Sequence, residues 1–175
     1  METNNMEIRL FKQEDAIETA QVIAETLRTS NSKDYSPKYI DDTISSLSAD
    51  VLIERAKSGH MYVVCDKARI VGCGAIAGYW GSTTESILLT IFVLPEYQGK
   101  GIGKALILAI ISNLKYSRPE WRLFTLTLQT EFFRSLGFRE VPKSLFPEKI
   151  WSDCSKCAKR HCCDETALLI ESENL

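Results

Sequence analysis

Six consecutive residues, Gln98-Gly99-Lys100-Gly101-Ile102-Gly103, have the composition of an anion site. Glycines at alternate positions let the backbone take left-handed conformations and approach a ligand closely. They follow a short apolar, β-favouring run at 89–94 that stops at Pro95, and they precede an apolar run of helical length beginning at Lys104. A strand, a glycine turn and a helix in that order bring unpaired backbone N–H groups and the positive end of a helix dipole to one place. Phosphate suits such a place above other ligands, and Lys100 and Lys104 add positive charge beside it. Spacing excludes two other phosphate loops. No G-x-x-x-x-G-K-[ST] string is present, and Gly99, Gly101 and Gly103 give G-x-G-x-G where a dinucleotide fold needs G-x-G-x-x-G.

The elements that must hold this loop can be read from periodicity. An alternating run at 6–11 predicts a first strand. A helix is expected over 15–27, with Ala16, Ile17, Ala20, Ile23, Ala24 and Leu27 on one face. After a polar loop at 31–37, Pro37 suits a helix start and 38–47 continues it. A further helical turn is expected at 51–57, ended by Gly59. Strands at 61–65 and 69–79 form a hairpin around Asp66-Lys67-Ala68, and Gly72, Gly74 and Gly78 in its second strand predict a bulge or a close approach. Cys65 and Cys73 on these apolar strands read as buried thiols. The central strand begins at Glu85, and the helix after the glycines ends near Tyr116 before Arg118-Pro119. A strand at 121–128, a short helix at 129–136 closed by Gly137, a strand starting at 138–141 and a last strand at 166–170 complete the chain. Up to the strand at 138–141 the order β-α-α-β-β-β-α-β-α-β predicts an α/β (α+β) architecture, a mixed central sheet flanked by helices on both faces.

Composition narrows the partners. The 175 residues are expected to form a single domain, 1–175, and 45% hydrophobic content supplies a sizeable core. A net charge of −2 gives no reason to expect nucleic acid or an acidic membrane. The N-terminus METNNMEIRL has no signal-peptide pattern, and no apolar run is long enough for a membrane span, so a cytoplasmic protein is expected.

The glycine stretch resembles the acyl-CoA signature of the GNAT acetyltransferases, Q/R-x-x-G-x-G/A, and Val93-Leu94-Pro95-Glu96-Tyr97 resembles the V-x-P-x-Y that precedes it. The resemblance implies a GNAT fold with splayed central strands and acetyl-CoA as cosubstrate. The pantetheine arm would pair with the strand at 90–94, beside its neighbour at 122–128, and the pyrophosphate would rest on the N–H groups of 99–104. The implied cofactor-binding residues are Ile91, Phe92, Val93, Gln98, Gly99, Lys100, Gly101, Ile102, Gly103 and Lys104. The region between the first helices commonly borders the acceptor site in this family. Arg28, Lys33, Asp34 and Tyr35 are therefore acceptor-site candidates by position, with solvated loop residues as the alternative.

Acetyl transfer to an amine needs a neutral amine, a polarised thioester oxygen and a stabilised leaving thiolate. A strand N–H near Phe92 or Val93 is expected to polarise the carbonyl. Glu85, on the face of Ile87 and Leu89 by alternation, is the catalytic-base candidate. Its alternative is a solvated strand-end carboxylate, and Glu131 and His60 are further candidates for the base. Many GNAT proteins use the tyrosine of F-Y-x-x-x-G-F as the acid. This chain has Phe132-Phe133-Arg134-Ser135-Leu136-Gly137-Phe138, so Phe133 removes it, and Tyr97 and Tyr116 are alternatives without an assigned place.

Residues 144–167 form a Cys-rich segment. With the residues before it, it resembles the C-terminal part of acetyltransferase domains of the N-acetylglutamate synthase type, roughly L-P-x-K-V-W-x-D-C-x-x-C-P-x-x-x-x-C-D-E. Lys149, Trp151, Asp153, Cys154, Cys157, Cys163, Asp164 and Glu165 match, and Ala158 replaces the proline. That subgroup tends to carry an arginine in the central strand that helps hold the substrate, and ILLTIFV has none. The cysteines admit three states. Cys154, Cys157, Cys163 and His161 have the donor types of a structural zinc site, reduced thiols in a packed turn are the alternative, and a disulfide formed in air is the third.

The reading is an acetyl-CoA-dependent N-acetyltransferase acting on the amine of a small molecule, an amino acid or related metabolite. A protein or peptide N-acetyltransferase and a non-catalytic acetyl-CoA-binding regulatory module are the rivals. The oligomeric state stays open, with a homodimer among the alternatives.

Overall fold

The computed structural model describes residues 6–78, 84–145 and 161–172. Among these, seven strands form one mixed sheet in the order β1-β2-β3-β4-β5-β7-β6. The strands are β1 (Met6–Leu10), β2 (Gly59–Asp66), β3 (Arg69–Gly78), β4 (Glu85–Val93), β5 (Arg122–Thr127), β6 (Arg139–Glu140) and β7 (Thr166–Glu171). The helices are α1 (Ala16–Thr29), α2 (Pro37–Ser46), α3 (Ala49–Ser58), α4 (Ile102–Ser117) and α5 (Thr130–Arg134). The β4–β5 pair is parallel and the other pairs are antiparallel. β3 is buried at every residue from 70 to 76, the mark of a strand covered on both faces. This is the α/β architecture that the element order implied. No described helix is long and apolar enough to cross a membrane.

The expected helix at 51–57 begins two residues earlier and continues as α3 almost directly from α2. α2 starts as its residues dictate, with Pro37 in the first turn and the Ser36 hydroxyl accepting from the Tyr39 N–H at 3.2 Å. The buried face of α1 is rotated from the expected one. Ile17 is 70% exposed, while Thr19, Val22 and Thr26 join Ala16, Ile23 and Leu27 inside. Threonine can take a core position because its hydroxyl bonds within the helix, and Thr26 donates to the Val22 carbonyl at 2.8 Å. Just before α1, Asp15 accepts a bidentate pair from Arg9 at 2.7 and 2.8 Å and the Lys12 N–H at 2.7 Å. Those bonds hold its carboxyl below the usual carboxylate range, the Arg9 contact most of all.

α4 is the principal support of the glycine turn. Its inner stripe, Ile102, Leu106, Ile107, Ile110, Ile111 and Leu114, is buried at helical spacing. Each such side chain contributes about 1.5–3 kcal/mol on leaving water. The hairpin turn between β2 and β3 places Lys67 at φ 56°, so a lysine takes the left-handed position where glycine is the commoner choice. α5 is shorter than expected. Gly137 closes it at φ 94°, and the Phe138 N–H bonds back to the Phe133 carbonyl at 3.2 Å.

Candidate active site where β4 and β5 diverge

A one-residue irregularity in β4 shapes the site. Cys73 of β3 pairs with Phe92, and Ala75 pairs with Leu89, so Gly74 alone faces both Thr90 and Ile91. That is a β-bulge, which bends its strand and increases its twist. Thr90 carries it at φ 59°, an uncommon conformation for a β-branched residue. Glycine opposite the bulge follows from the close approach. A Cβ on Gly74 would lie 2.6 Å from Ile91 Cδ1 and 3.0 Å from Leu106 Cδ2. Of the two alternatives the glycines of β3 suggested, Gly74 makes the close approach, and the bulge it faces belongs to β4. Below it Cys73 is buried, its Sγ 3.7 Å from the Thr90 carbonyl, and burial pushes the thiol up to about 12.

β4 and β5 pair only from Glu85 with Arg122 to Ile87 with Phe124, while β5 runs on with β7 as far as Thr127. Beyond Ile87 the two strands part. The opening is a cleft of about 490 Å³, within the range of small-molecule sites. Leu88–Phe92 form one wall and Thr125–Gln129 the other. The ends of α1 and α2 and part of α3 close it on the β4 side, with Tyr35, Tyr39, Thr43 and Arg55 among the lining residues. Tyr35 and Tyr39 stack with ring centroids 4.6 Å apart. The Tyr35 hydroxyl donates to Glu165 Oε1 at 3.1 Å, joining this wall to the residue before β7. Burial foremost, then the Glu165 charge, raises the Tyr35 phenol above its ordinary range, so it stays protonated. Arg55 Nη1 lies 3.3 Å from Thr90 Oγ1.

The glycine turn lies next to this cleft. Gly99 at φ 74° and Gly101 at φ 81° need the conformational freedom of glycine, and a Cβ at either would meet open space. Gly101 is the N-cap of α4, so the first-turn N–H groups of a sixteen-residue helix are presented there. Phe132 joins the two regions, since it lines the cleft and lies 3.4 Å from where a Gly103 Cβ would be. Gln98 braces the turn: its Nε2 donates to the Val93 carbonyl and to Ser30 Oγ, both at 2.8 Å. Lys100 Nζ rests 4.9 Å from the Tyr97 ring centroid, and Tyr97 donates to Asp66 at 2.9 Å.

Ile91 and Phe92 line the cleft, and Val93 carries the carbonyl that holds Gln98. Gln98 to Lys104 form the adjoining turn and helix start. Asp34 and Tyr35 of the acceptor candidates line the cleft; Arg28 and Lys33 do not. Glu85, expected as the base, lies elsewhere: β4 and β5 are still paired there, leaving no gap, and Arg122 binds its carboxylate at 3.1 Å. Five residues of strand separate it from Thr90, about 16 Å. Glu131 is bound by Arg134 at 2.7 Å with its side chain 85% exposed, and exposed His60 is not among the lining residues. Tyr116 is 95% exposed, and Tyr97 is engaged with Asp66. Phe133 does line the cleft, buried and edge-on to Phe132 and Phe138 with centroids 5.2 Å away. Glu165 and Arg55 were not among the candidate site residues. Glu165 belonged to the C-terminal match without a role, and nothing in the spacing of Arg55 singled it out. Cys154 and Cys157 lie outside the described residues, while His161 and Cys162 are exposed and Cys163 is half-buried. Among the described residues no three His, Cys, Asp or Glu side chains cluster as metal ligands do.

Residues 57–140 match the family described as acetyltransferase (GNAT) domain. An uncharacterised N-acetyltransferase of Chlorobaculum tepidum is 36% identical over 122 residues, 70% of this chain and 76% of that protein. The chain is a GNAT acetyltransferase. Another relative of this GNAT protein, the amino-acid acetyltransferase of Mycobacterium tuberculosis, is 37% identical over 73 residues, 42% of this chain and 40% of that protein. Among solved structures, the PaiA N-acetyltransferase of Thermoplasma acidophilum in complex with coenzyme A shares the fold, with a TM-score of 0.70 at 20% identity over 94% of this chain and 97% of that one. N-acetylglutamate synthase of Neisseria gonorrhoeae, with coenzyme A and N-acetyl-glutamate, has a TM-score of 0.67 at 20% identity, covering 95% of this chain but 35% of that one.

Proposed function

We propose that this GNAT domain moves the acetyl group of acetyl-CoA to the amino group of a small amino acid or related metabolite. The observation that carries the reading is the parting of β4 and β5 beside the glycine-capped start of α4. The gap offers strand backbone to an extended pantetheine arm, as an added strand would be paired. The helix start offers N–H groups to the pyrophosphate. Gly101 fits this role, because a side chain there would extend into the open space before the helix. Ile91, Phe92, Val93 and residues 98–104 are the donor-binding set, with Gln98 and Lys100 acting by holding the turn.

The acceptor end supports a small molecule over a protein substrate. Tyr35 and Glu165 tie two walls of the cleft together, so the acceptor enters a bounded pocket. The amino-acid class draws support from the relative named amino-acid acetyltransferase and from the synthase that shares the fold. We assign the base to Glu165. A carboxylate in the cleft takes a proton from the incoming ammonium, and the neutral nitrogen attacks the thioester carbonyl. The C–N bond forms and the C–S bond breaks, and the second proton lost by the nitrogen passes to the departing thiolate, which leaves as CoA thiol. Tyr35, held in its protonated form, is the phenol nearest that exchange and orients Glu165.

The test is release of CoA thiol from acetyl-CoA against a panel of free amino acids, polyamines and short peptides. Turnover confined to amino acids supports the reading. Turnover on peptides alone, or none at all with acetyl-CoA bound, overturns it. In Glu165→Gln, kcat should fall by about 10²-fold or more and the acid limb of the kcat/KM–pH profile should flatten, as expected for a lost general base.

A further inference from the structure

Thr90 turns through φ 59°, a conformation that glycine takes without cost and that a β-branched residue holds only under constraint. Gly99, Gly101 and Gly137 fill left-handed positions elsewhere in the chain. A threonine here keeps the strain and brings a hydroxyl, and that hydroxyl is bonded: Arg55 Nη1 donates to Thr90 Oγ1 at 3.3 Å. Arg55 lies one helical turn after Leu52, whose side chain is fully buried, so both are on the face of α3 turned to the sheet. From β3, the Cys73 thiol donates to the Thr90 carbonyl at 3.7 Å, and Gly74 makes room for the Ile91 side chain. The bulge is therefore held from α3 through a side-chain bond and from β3 through its backbone.

The torsions of Thr90 set how the following peptide plane, with the Ile91 N–H, is turned. Ile91 and Phe92 line the cleft on the stretch where β4 has parted from β5. We propose that Arg55 and Thr90 are positioning residues: their hydrogen bond fixes the bulge so that a β4 backbone N–H is aimed at the thioester carbonyl. This rests on the acetyl-transfer reading above and adds to it the side chains that keep the strand in its working shape. Both act through the bulge, without touching the acetyl group. A fixed N–H stabilises the charge that gathers on the carbonyl oxygen better than a mobile one, because nothing has to reorganise as the charge develops. Arginine suits the brace, since its guanidinium stays charged and its planar fork loses little freedom per bond formed.

The experiment reads the carbonyl itself. Acetyl-CoA labelled with carbon-13 at the carbonyl is bound without an acceptor, and its C=O stretch is followed by infrared difference spectroscopy. In the wild type the stretch should fall below its value in free acetyl-CoA. Thr90→Val keeps the branched shape and removes the hydroxyl, and Arg55→Gln removes the charged donor. Each should lose most of that shift and lower kcat, on an amino acid that is turned over, about 10- to 100-fold. The Kd for acetyl-CoA by calorimetry should stay within about threefold of wild type. The double variant should lose no more than the worse single one, because the two residues act as a unit. Thr90→Ser restores the hydroxyl and should recover most of the shift and the rate; Arg55→Lys should recover part. Should Arg55→Gln not fold, the Thr90 variants carry the test. A full carbonyl shift with unchanged kcat in Thr90→Val, or losses that multiply in the double variant, overturn the proposal. So does a wild-type carbonyl that does not shift on binding, or a Kd that rises in step with the fall in kcat, which marks lost packing of the cleft wall. Those outcomes leave acetyl transfer intact. Failure of the wild type to bind acetyl-CoA, or to release CoA thiol with any amine, instead marks failure of the transfer reading, and the proposal falls with it.

Discussion

At Gly101 two requirements meet in one residue. The backbone is left-handed at φ 81°, and the space where a side chain would go is open. Gly101→Ala should therefore cost about 1 kcal/mol in urea denaturation, a conformational cost without a clash. Gly101→Glu adds a carboxylate at the helix start, where the anion would otherwise be. It should abolish acetyl-CoA binding by calorimetry while the protein still unfolds cooperatively. An unchanged acetyl-CoA affinity in that variant would contradict the phosphate cradle. Asp15 makes a separate prediction about acid stability. Its carboxyl is depressed in the folded state by Arg9 and the Lys12 N–H, so its contribution is present above the unfolded carboxylate value, about 3.9, and is lost as pH falls through the folded value. Asp15→Asn should lower stability by about 1–3 kcal/mol at pH 7. The difference from wild type in melting temperature should shrink below about pH 4. A constant difference across that range would contradict the assignment.

At the scale of elements, the bulge in β4 explains what the sequence displayed and what it concealed. The strand, glycine turn and helix at 89–117 are contiguous, so their pattern is local and legible. So were the hairpin, the buried Cys65 and Cys73, and the crowding opposite Gly74. Alternation put Glu85 on a face with Ile87 and Leu89, but alternation says nothing about where a neighbouring strand stops pairing. The cleft opens only after Ile87, and Glu85 lies on the closed side of that point. Arg55 meets Thr90 across 35 residues, and Glu165 meets Tyr35 across 130. No periodicity encodes such contacts; they come from the packing of α3 and from the strand order. Gly74→Ala tests the bulge directly. The new methyl group must displace the Ile91 and Leu106 side chains, so stability should fall by about 1–3 kcal/mol in chemical denaturation. The KM for acetyl-CoA should rise with it, because Ile91 is part of the cleft wall. An unaffected KM would show that the wall adapts without cost to the donor.

At the scale of the molecule, the donor and acceptor sides draw on different parts of the chain. The glycine turn, β4 and α4 lie within 85–117, whereas the proposed acceptor pocket is complete only when Glu165 reaches Tyr35. β7 carries that responsibility in the sheet as well, since it is inserted between β5 and β6. Its side chains from Ala167 to Ile170 are buried throughout. During translation, then, a nascent chain on the ribosome has β1 to β5 made well before the strand that covers β5. Until β7 emerges, β5 is an open edge, the kind of surface that recruits other strands. Release of β7 would bring Glu165 to Tyr35 and seal that edge in one docking event. A nonsense codon placed just before Thr166 should accordingly yield an aggregating product, not a soluble donor-binding fragment, and the maturation of activity should lag behind synthesis of the glycine turn by the time needed to make β7.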